Sequence, residues 1–547
     1  MCLPQLEEGA HTGAPLHKDN MPKILVSDKL SEQGLAILKA APGLQVDSKT
    51  GLKPEELCAI IGDYDGLIIR SSTKVTPAVV VAGKNLKAIG RAGIGVDNVD
   101  LPSATKHGIV VMNTPSGNAV TTAEHALAMM FAICRKIPQA TASMRGGKWE
   151  KGKFTGSELC NKKLGIVGVG NIGRIVADRA LGLKMQVIGY DPFLSVEAAE
   201  KLGITLVELP DLFKQADIIT IHVPLSEKTK YLINKDSFRL MKKGVYLINC
   251  ARGGLVHEGD LVAAIQEGIV AGVALDVFEQ EPPPADHPLL KMEQVIFTPH
   301  LGAATDEAQE KVAIEVAELM VDFFTKETVR NAVNFPSVSG EAARVLRPFI
   351  ELAEKLGSLH GQMSSKLPQE VIIEYSGQIL NYNLAPVTQA LLKGLLTPMV
   401  SDVSVNYVNA PMVAKERGLK VVESKVSEDE DFANLVAVTI RSGKESRRIS
   451  GTIFGKSNPR LVQIDDFYLE ALPSGTILVV HNHDRPGVIG NIGTYLGKNK
   501  INISRMQLGL TKEEAIALYN VEGDVTAEIL QGLEKLPDIV SVKKVVL

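Results

Sequence analysis

Residues 163–191 read K-L-G-I-V-G-V-G-N-I-G-R-I-V-A-D-R-A-L-G-L-K-M-Q-V-I-G-Y-D, and no other stretch narrows the fold as far. An apolar run at Leu164, Ile166 and Val167 predicts a short buried strand. Gly168, Gly170 and Gly173 then turn the chain into a helix, and a second apolar run from Val187 ends at Asp191, 18 residues after the last glycine. Glycine-rich turns are common, so G-x-G-x-x-G alone says little. Set between a strand and a helix and followed by an acid at that spacing, it predicts a β-α-β unit that holds a dinucleotide.

Each position then has a physical task. Gly168 allows the tight turn, Gly170 lets the backbone approach a pyrophosphate without a Cβ in the way, and Gly173 lets helix pack closely on strand. The free N–H groups of Asn171 and Ile172, at the positive end of the helix, are expected to hold the phosphates. Asp191 is expected to accept hydrogen bonds from the adenosine ribose and to repel the extra phosphate of NADP. Residues 192–198 contain no Arg or Lys to welcome that phosphate, so the expected cofactor is NAD.

A chain of 547 residues exceeds one core and implies three or four domains. With 59 basic against 63 acidic residues the net charge is −4, which gives no electrostatic reason to expect nucleic acid or an anionic membrane as partner. No apolar run approaches the length that spans a bilayer. The five cysteines, Cys2, Cys58, Cys134, Cys160 and Cys250, form no C-x-x-C pair, which fits a reducing compartment, hence the cytoplasm. Residues 1–20 match neither a secretory signal nor an Arg-rich transit peptide and read as a disordered leader, with the first strand opening after Met21.

From 23 to 113, apolar runs at 24–26, 67–69, 86–89 and 109–112 alternate with helical patterns, which predicts a parallel α/β layer. Arg70-Ser71-Ser72 and Arg91-Ala92-Gly93-Ile94-Gly95 stand at the ends of its strands, where open α/β sheets bind ligands. Two arginines at corresponding strand ends, one followed by a Gly-x-Gly turn with exposed N–H groups, point to an anionic substrate. A helix is expected over about 121–135, buried or at a subunit interface, with His125 a hydrogen-bonded core histidine. Trp149, the single tryptophan, lies in the basic segment 145–153 and hints at an oligomer interface.

Runs at 218–223, 245–249, 273–275 and 295–298 complete a doubly wound sheet around the dinucleotide unit. Polar residues again follow the strands: Cys250-Ala251-Arg252-Gly253-Gly254, then Asp276 through Glu281-Pro282, then Pro299-His300-Leu301-Gly302. Singly, an ion pair, a helix-start charge and a loop histidine would account for Arg252, Glu281 and His300. At the carboxyl ends of three successive strands they are expected to converge on one crevice.

Those motifs, in that order over residues 23–331, resemble the D-isomer-specific 2-hydroxyacid dehydrogenases. The resemblance implies two Rossmann-like domains: a substrate lid built from 21–116 and a return segment 304–333, closing on an NAD-binding domain of 117–303. It implies Arg252, Glu281 and His300 as the catalytic set, with further NAD contacts at Val223, Pro224, Cys250, Ala251, Asp276, Gly302 and Ala303. His300 would act as base toward the substrate hydroxyl, Glu281 would raise its pKa, and Arg252 would hold the α-carboxylate; hydride passes directly to nicotinamide and no metal is required. More narrowly, R-S-S-T-K-V-T, G-R-A-G-I-G-V-D-N-V-D and M-N-T-P-S-G-N resemble the 3-phosphoglycerate dehydrogenases of serine biosynthesis. That resemblance implies substrate contacts at Arg70, Ser71, Arg91, Gly93, Ile94, Gly95 and Asn118, with the two arginines near a phosphate. A dehydrogenase of glyoxylate or hydroxypyruvate is the alternative within the family. A non-catalytic NAD-sensing protein is the alternative outside it.

Composition breaks at 334–340. Residues 334–473 mix helical stretches (344–363, 411–418) with strand-like ones (370–375, 435–441, 460–464) and carry a basic cluster of Arg441, Lys444, Arg447 and Arg448. This layout resembles the intervening domain of long-form phosphoglycerate dehydrogenases, which implies an anionic regulator there. Residues 474–547 read β-α-β-β-α-β. The turn His481-Asn482-His483-Asp484-Arg485-Pro486-Gly487, with Lys500-Ile501-Asn502-Ile503 downstream, resembles the ACT regulatory domain. The resemblance implies an L-serine effector held by Asn482, Asp484, Asn502 and Ile503 between two protomers, and a homotetramer.

Overall fold

The computed structural model describes residues 21–547, apart from 116, 327, 337–339, 365, 427–431 and 444. The expected leader and Lys444 therefore lie outside the described residues.

Five parallel strands form the first sheet, in the spatial order Gln45–Ser48, Lys23–Val26, Gly66–Ile69, Ala88–Arg91 and Val110–Asn113. Gly66–Ile69 and Val110–Asn113 are buried throughout, the uninterrupted apolar character of strands covered on both faces. One cover comes from far along the chain. Helix Asp306–Lys326 returns to this sheet and packs Ala313, Val316 and Met320 against Ile24, Val26 and Ile68. On the other face, Leu57, Ile61, Val79 and Val80 pack against Leu25, Leu67 and Ile89.

The second sheet has seven parallel strands, ordered Val295–Phe297, Val270–Leu275, Val245–Asn249, Ile218–Ile221, Lys163–Val167, Gln186–Tyr190 and Thr205–Leu206. The chain enters at Lys163–Val167, runs outward to Thr205–Leu206, then crosses back to Ile218–Ile221 and runs to the opposite edge. The order reverses between Lys163–Val167 and Ile218–Ile221, and such a reversal opens a crevice at the carboxyl ends of the strands. Helix Ala119–Cys134 covers one face through Ala123, Ala126, Met130 and Ile133, which explains its near-continuous apolar sequence. The two doubly wound layers are those the sequence predicts.

A third sheet is mixed: Lys420–Val426 pairs in parallel with Glu370–Gly377, and Asn434–Ser442, Glu445–Phe454, Asn458–Ile464 and Phe467–Ala471 follow antiparallel. Within it the basic residues have countercharges. Arg441 and Lys420 share the Glu370 carboxylate at 3.1 and 2.7 Å, Arg448 pairs with Glu374, and Arg447 acts on the Asp465 carboxyl. Of the basic cluster, Arg441 and Arg448 are thus paired from within the domain.

The last sheet is antiparallel, ordered Asn502–Leu510, Glu514–Glu522, Thr476–His483 and Ile539–Val546, with helices Val488–Lys498 and Ala527–Glu534 in the expected βαββαβ sequence. Its helix-free face is not solvated: Ile477, Val479, Ile516, Leu518 and Val545 join the same core as Leu346, Leu352 and Val438 of the preceding domain. Among the described residues no helix is long and apolar enough to cross a membrane.

Candidate active site

Strand Lys163–Val167 ends at Gly168, whose φ of 93° lies where glycine alone is unstrained. Helix Asn171–Gly182 starts immediately after Gly170. A Cβ on Gly173 would strike the Gly168 carbonyl oxygen, whereas one on Gly170 would meet nothing within 4 Å. Gly173 therefore closes helix onto strand, and Gly170 borders open space at the end of the helix whose first N–H groups have no intrahelical partner. Asp191 follows Gln186–Tyr190 and is pinned beside the turn, accepting from the Val169 and Phe193 N–H groups at 2.9 Å each. An open, N–H-lined turn with a fixed carboxylate next to it fits a dinucleotide.

Between the two sheets lies a cleft of about 440 Å³. Asn171, Ile172, Val223 and Pro224 line its dinucleotide side; Cys250, Ala251, Asp276, Gly302 and Ala303 line its floor; Arg91, Ile94, Gly95 and Asn118 face them, with Arg252 and His300 among them. Three buried polar atoms of the lining, Asn118 Oδ1, Arg91 Nε and His222 Nδ1, have no partner among the described residues. Arg70, Ser71 and Gly93 stand outside the lining, as does Glu281, which reaches the cleft through His300.

Asp276 organises the floor. It is almost wholly buried and accepts from Thr298 Oγ1 (2.6 Å), Leu301 N–H (2.6 Å) and Gly302 N–H (2.8 Å), with His125 Nε2 at 3.3 Å. Burial works against its ionisation, but these donors outweigh burial and hold the carboxyl below its usual range. His125 also meets Thr298 Oγ1 at 3.1 Å, so it is a hydrogen-bonded histidine of the floor.

The same scaffold fixes His300. Its φ of 56° is left-handed, a conformation that costs a bulky residue about 1–3 kcal/mol, and the backbone carbonyls of Asp276 and Thr298 hold its N–H there at 2.9 and 3.0 Å. The side chain is thereby aimed so that Nδ1 meets Glu281 Oε2 at 2.7 Å, while Glu281 Oε1 accepts from the Phe278 N–H at 3.2 Å. The hydrogen bond with Glu281 raises the His300 pKa against the opposing effect of burial. For Glu281 burial again pulls upward, but the hydrogen bond and charge of His300 prevail and its pKa is lowered. With Nδ1 engaged, Nε2 is the nitrogen left for a partner in the cleft.

Arg252 is set by the loop after Val245–Asn249. Asn249 Nδ2 donates to the Arg252 carbonyl at 2.9 Å and its Oδ1 accepts from the Ala251 N–H at 3.1 Å. The guanidinium donates through Nε to Asp97 Oδ2 and through Nη1 to the Ala251 carbonyl, both at 2.7 Å. Arg91 is pushed down to about 10, chiefly by burial and then by the like charge of Arg252, with Arg70 adding and Asp97 opposing. Arg252 and Arg70 thus both lie within electrostatic reach of Arg91. Arg70 itself donates to the Lys29 carbonyl (3.2 Å) and Gln309 Oε1 (3.5 Å). The Gly93 N–H donates to Thr114 Oγ1 at 2.7 Å, anchoring the turn 92–95.

Sequence reasoning missed Asp97, Asn249, Thr298 and His222. Only Asp97 left a signal, an acid two residues beyond the turn that follows Arg91. His222, half-buried, with desolvation pushing its pKa down to about 4, is a neutral lining residue.

In the last sheet, Asn482 is buried with Nδ2 donating to the His483 carbonyl (2.8 Å), the Asp484 N–H donates to the Glu513 carbonyl (3.0 Å), and Asn502 Nδ2 donates to Glu522 Oε2 (3.2 Å). Asn482 pairs with Ala515 and Asn502 with Glu522, opposite ends of one strand and about 23 Å apart at the rise of a β-strand. One chain does not bring Asn482 and Asp484 together with Asn502 and Ile503.

Three family models match the chain: the NAD binding domain of D-isomer specific 2-hydroxyacid dehydrogenases over residues 127–302, the D-3-phosphoglycerate dehydrogenase intervening domain over 345–465, and the ACT domain over 476–538. A D-3-phosphoglycerate dehydrogenase of Archaeoglobus fulgidus is 43% identical over 95% of this chain and 98% of its own. One from Bacillus subtilis is 41% identical over 95% and 99%. The crystal structure of a D-lactate dehydrogenase from Aquifex aeolicus, complexed with NAD and lactic acid, superposes with a TM-score of 0.51 at 27% identity, over 57% of this chain and all of that one. With its four sheets, its dinucleotide turn and its near full-length similarity to these relatives, the chain belongs to the D-3-phosphoglycerate dehydrogenases, a family of NAD-dependent D-2-hydroxyacid dehydrogenases.

Proposed function

We propose that the cleft oxidises 3-phospho-D-glycerate at C2 to 3-phosphohydroxypyruvate, the entry step of phosphorylated L-serine biosynthesis. The observation that carries the reading is the His300–Glu281 pair on the cleft wall, in the same cavity as Arg252 and Arg91. His300 Nε2 takes the proton of the C2 hydroxyl, and Glu281 stabilises the imidazolium that results. Arg252 holds the carboxylate and polarises the C2 oxygen, while the N–H groups of Ile94 and Gly95, on the turn that Gly93 anchors, serve the same anion. Asn171, Ile172 and Asp191 would hold NAD, which when bound supplies the hydride acceptor. Arg91 and Arg70 favour a substrate carrying a second anionic group, which supports phosphoglycerate over glyoxylate. Initial-rate NADH production from 3-phosphoglycerate, compared with glyoxylate and hydroxypyruvate reduction under matched conditions, tests this. Preference for an unphosphorylated acid refutes it.

The regulatory reading concerns the last domain. Asn482 and Asp484 lie at one end of the sheet and Asn502 and Ile503 at the other, so a serine site using all four needs two copies of the chain. Trp149, 81% exposed, is available to such an assembly, with a tetramer in the cytoplasm as the expected state.

A further inference from the structure

The cleft contains a carboxylate to which the reaction gives no task. Asp97 sits on the turn after Ala88–Arg91, in the first sheet's half, yet its Oδ2 accepts from Nε of Arg252, which belongs to the second. The ordinary reading is a surface ion pair of little consequence, and the 58% exposure of the Asp97 side chain suits it.

Two observations favour more. The first is geometric. A Cβ built on Gly95 would land on Arg252 Nη2, 2.7 Å from Cζ and 2.7 Å from Asp97 Oδ2, so guanidinium and carboxylate rest together on the bare backbone of the turn. Nε is taken by Asp97 and Nη1 by the Ala251 carbonyl, which leaves Nη2 beside that turn. The second is electrostatic. Arg252 disfavours the charge on Arg91 and Asp97 favours it, so Asp97 supplies the countercharge that lets two guanidiniums share one cavity.

We infer that Asp97 is a positioning residue for the reaction: it grips Arg252 by its Nε edge across the boundary between the two halves and presents Nη2 to the substrate carboxylate. This rests on the reading of Arg252 as the group that meets that carboxylate. Asp97 then sets the plane of the guanidinium before the anion arrives, and the pair forms only when the two halves stand close.

The test is a steady-state comparison of D97A, D97N, R252A and the double variant D97A/R252A with 3-phosphoglycerate at saturating NAD. D97A is expected to raise KM for the hydroxy acid about tenfold, the low end for losing a hydrogen bond to a charged group, with a smaller loss in kcat and an unchanged KM for NAD. D97N keeps an oxygen acceptor for Nε but not the countercharge, and is expected to fall between wild type and D97A; a D97N no better than D97A overturns the positioning role. In the R252A background D97A is expected to add nothing. A KM for D97A that is unchanged or lower, or losses from the two substitutions that simply multiply, overturns the inference. Wild-type turnover by R252A overturns the underlying reading of Arg252, an outcome visible without any Asp97 variant.

Discussion

Gly95→Ala separates the site's chemistry from its fold. The added methyl would stand 1.6 Å from Arg252 Nη2 and 2.7 Å from its Cζ, and an ordinary contact between such atoms is about 3.5–4.0 Å, so the guanidinium has to retreat by roughly 2 Å. Nothing rigid is touched: the nearest atoms belong to the ends of the Arg252 and Asp97 side chains, and the backbone at Gly95 does not adopt a left-handed φ. A misplacement of about 1 Å in such a group already costs on the order of 100-fold in rate, or about 2.7 kcal/mol of transition-state stabilisation, so at least that loss is expected. Folding stability should change by no more than about 0.5 kcal/mol, or ~1–2 °C in Tm for a domain of this size. The assay is initial-rate NADH formation with the hydroxy acid varied at saturating NAD, beside thermal unfolding by circular dichroism and a direct measurement of NAD binding, which should not move. A kcat/KM within about threefold of wild type in a folded variant would refute the idea that Arg252 works from the position seen here.

Glu281→Gln removes the group that raises the His300 pKa. Oxidation needs neutral His300, so its acid limb should move to lower pH, while the reverse reaction, which needs the imidazolium, should lose activity at a lower pH than wild type; limbs that stay in place in both directions would sink the assignment. Asp191→Ala should relax discrimination against NADP, read as the ratio of kcat/KM for the two cofactors, and an unmoved ratio counts against Asp191 as the ribose acceptor. Arg70→Ala should raise KM for 3-phosphoglycerate while leaving NAD binding alone; if KM holds, the phosphate belongs to Arg91. Asn502→Ala should abolish inhibition by L-serine and spare catalysis, and full inhibition in that variant would remove Asn502 from the effector site.

What the sequence disclosed follows from what a local pattern can carry. The strand at Lys163–Val167, the left-handed Gly168 and the helix from Asn171 are neighbours in the chain, and the residue types required are rigidly set by backbone geometry. Arg252, Glu281 and His300 were legible because each follows a strand, and strand ends of a parallel sheet share one side. Asp97 and Arg252 lie 155 residues apart, and no periodicity encodes which acid meets which guanidinium. Thr298 was hidden for another reason: its role is to feed Asp276, and a hydroxyl before a proline has no distinctive spacing. Strand Glu445–Phe454 escaped because E-S-R-R-I-S-G-T-I-F begins with charges, which read as a solvated loop, although Arg448 pairs with Glu374 across the sheet.

The way the C-terminal third meets the catalytic part bears on how any effector could act. Asn406 Nδ2 donates to the Gly108 carbonyl at 2.9 Å, Lys106 pairs with Glu416 at 3.3 Å, and Val408 is buried in the core under the first sheet. Asn406 also caps its own loop, accepting from the Val408 and Asn409 N–H groups, so the segment that docks is stiff. All of these contacts fall at the turn before Val110–Asn113, on the half of the cleft that carries Arg91, Gly95 and Asp97. The dinucleotide turn lies on the other half. A displacement of the C-terminal domains would therefore be felt first in how the arginines and the 93–95 turn close on the hydroxy acid, and only through that closure by the His300–Glu281 pair. Coupling of this kind needs two arrangements of the lid rather than a path through the NAD-binding sheet. The Asp97–Arg252 contact, which spans the two halves, is the bond such a movement would make or break.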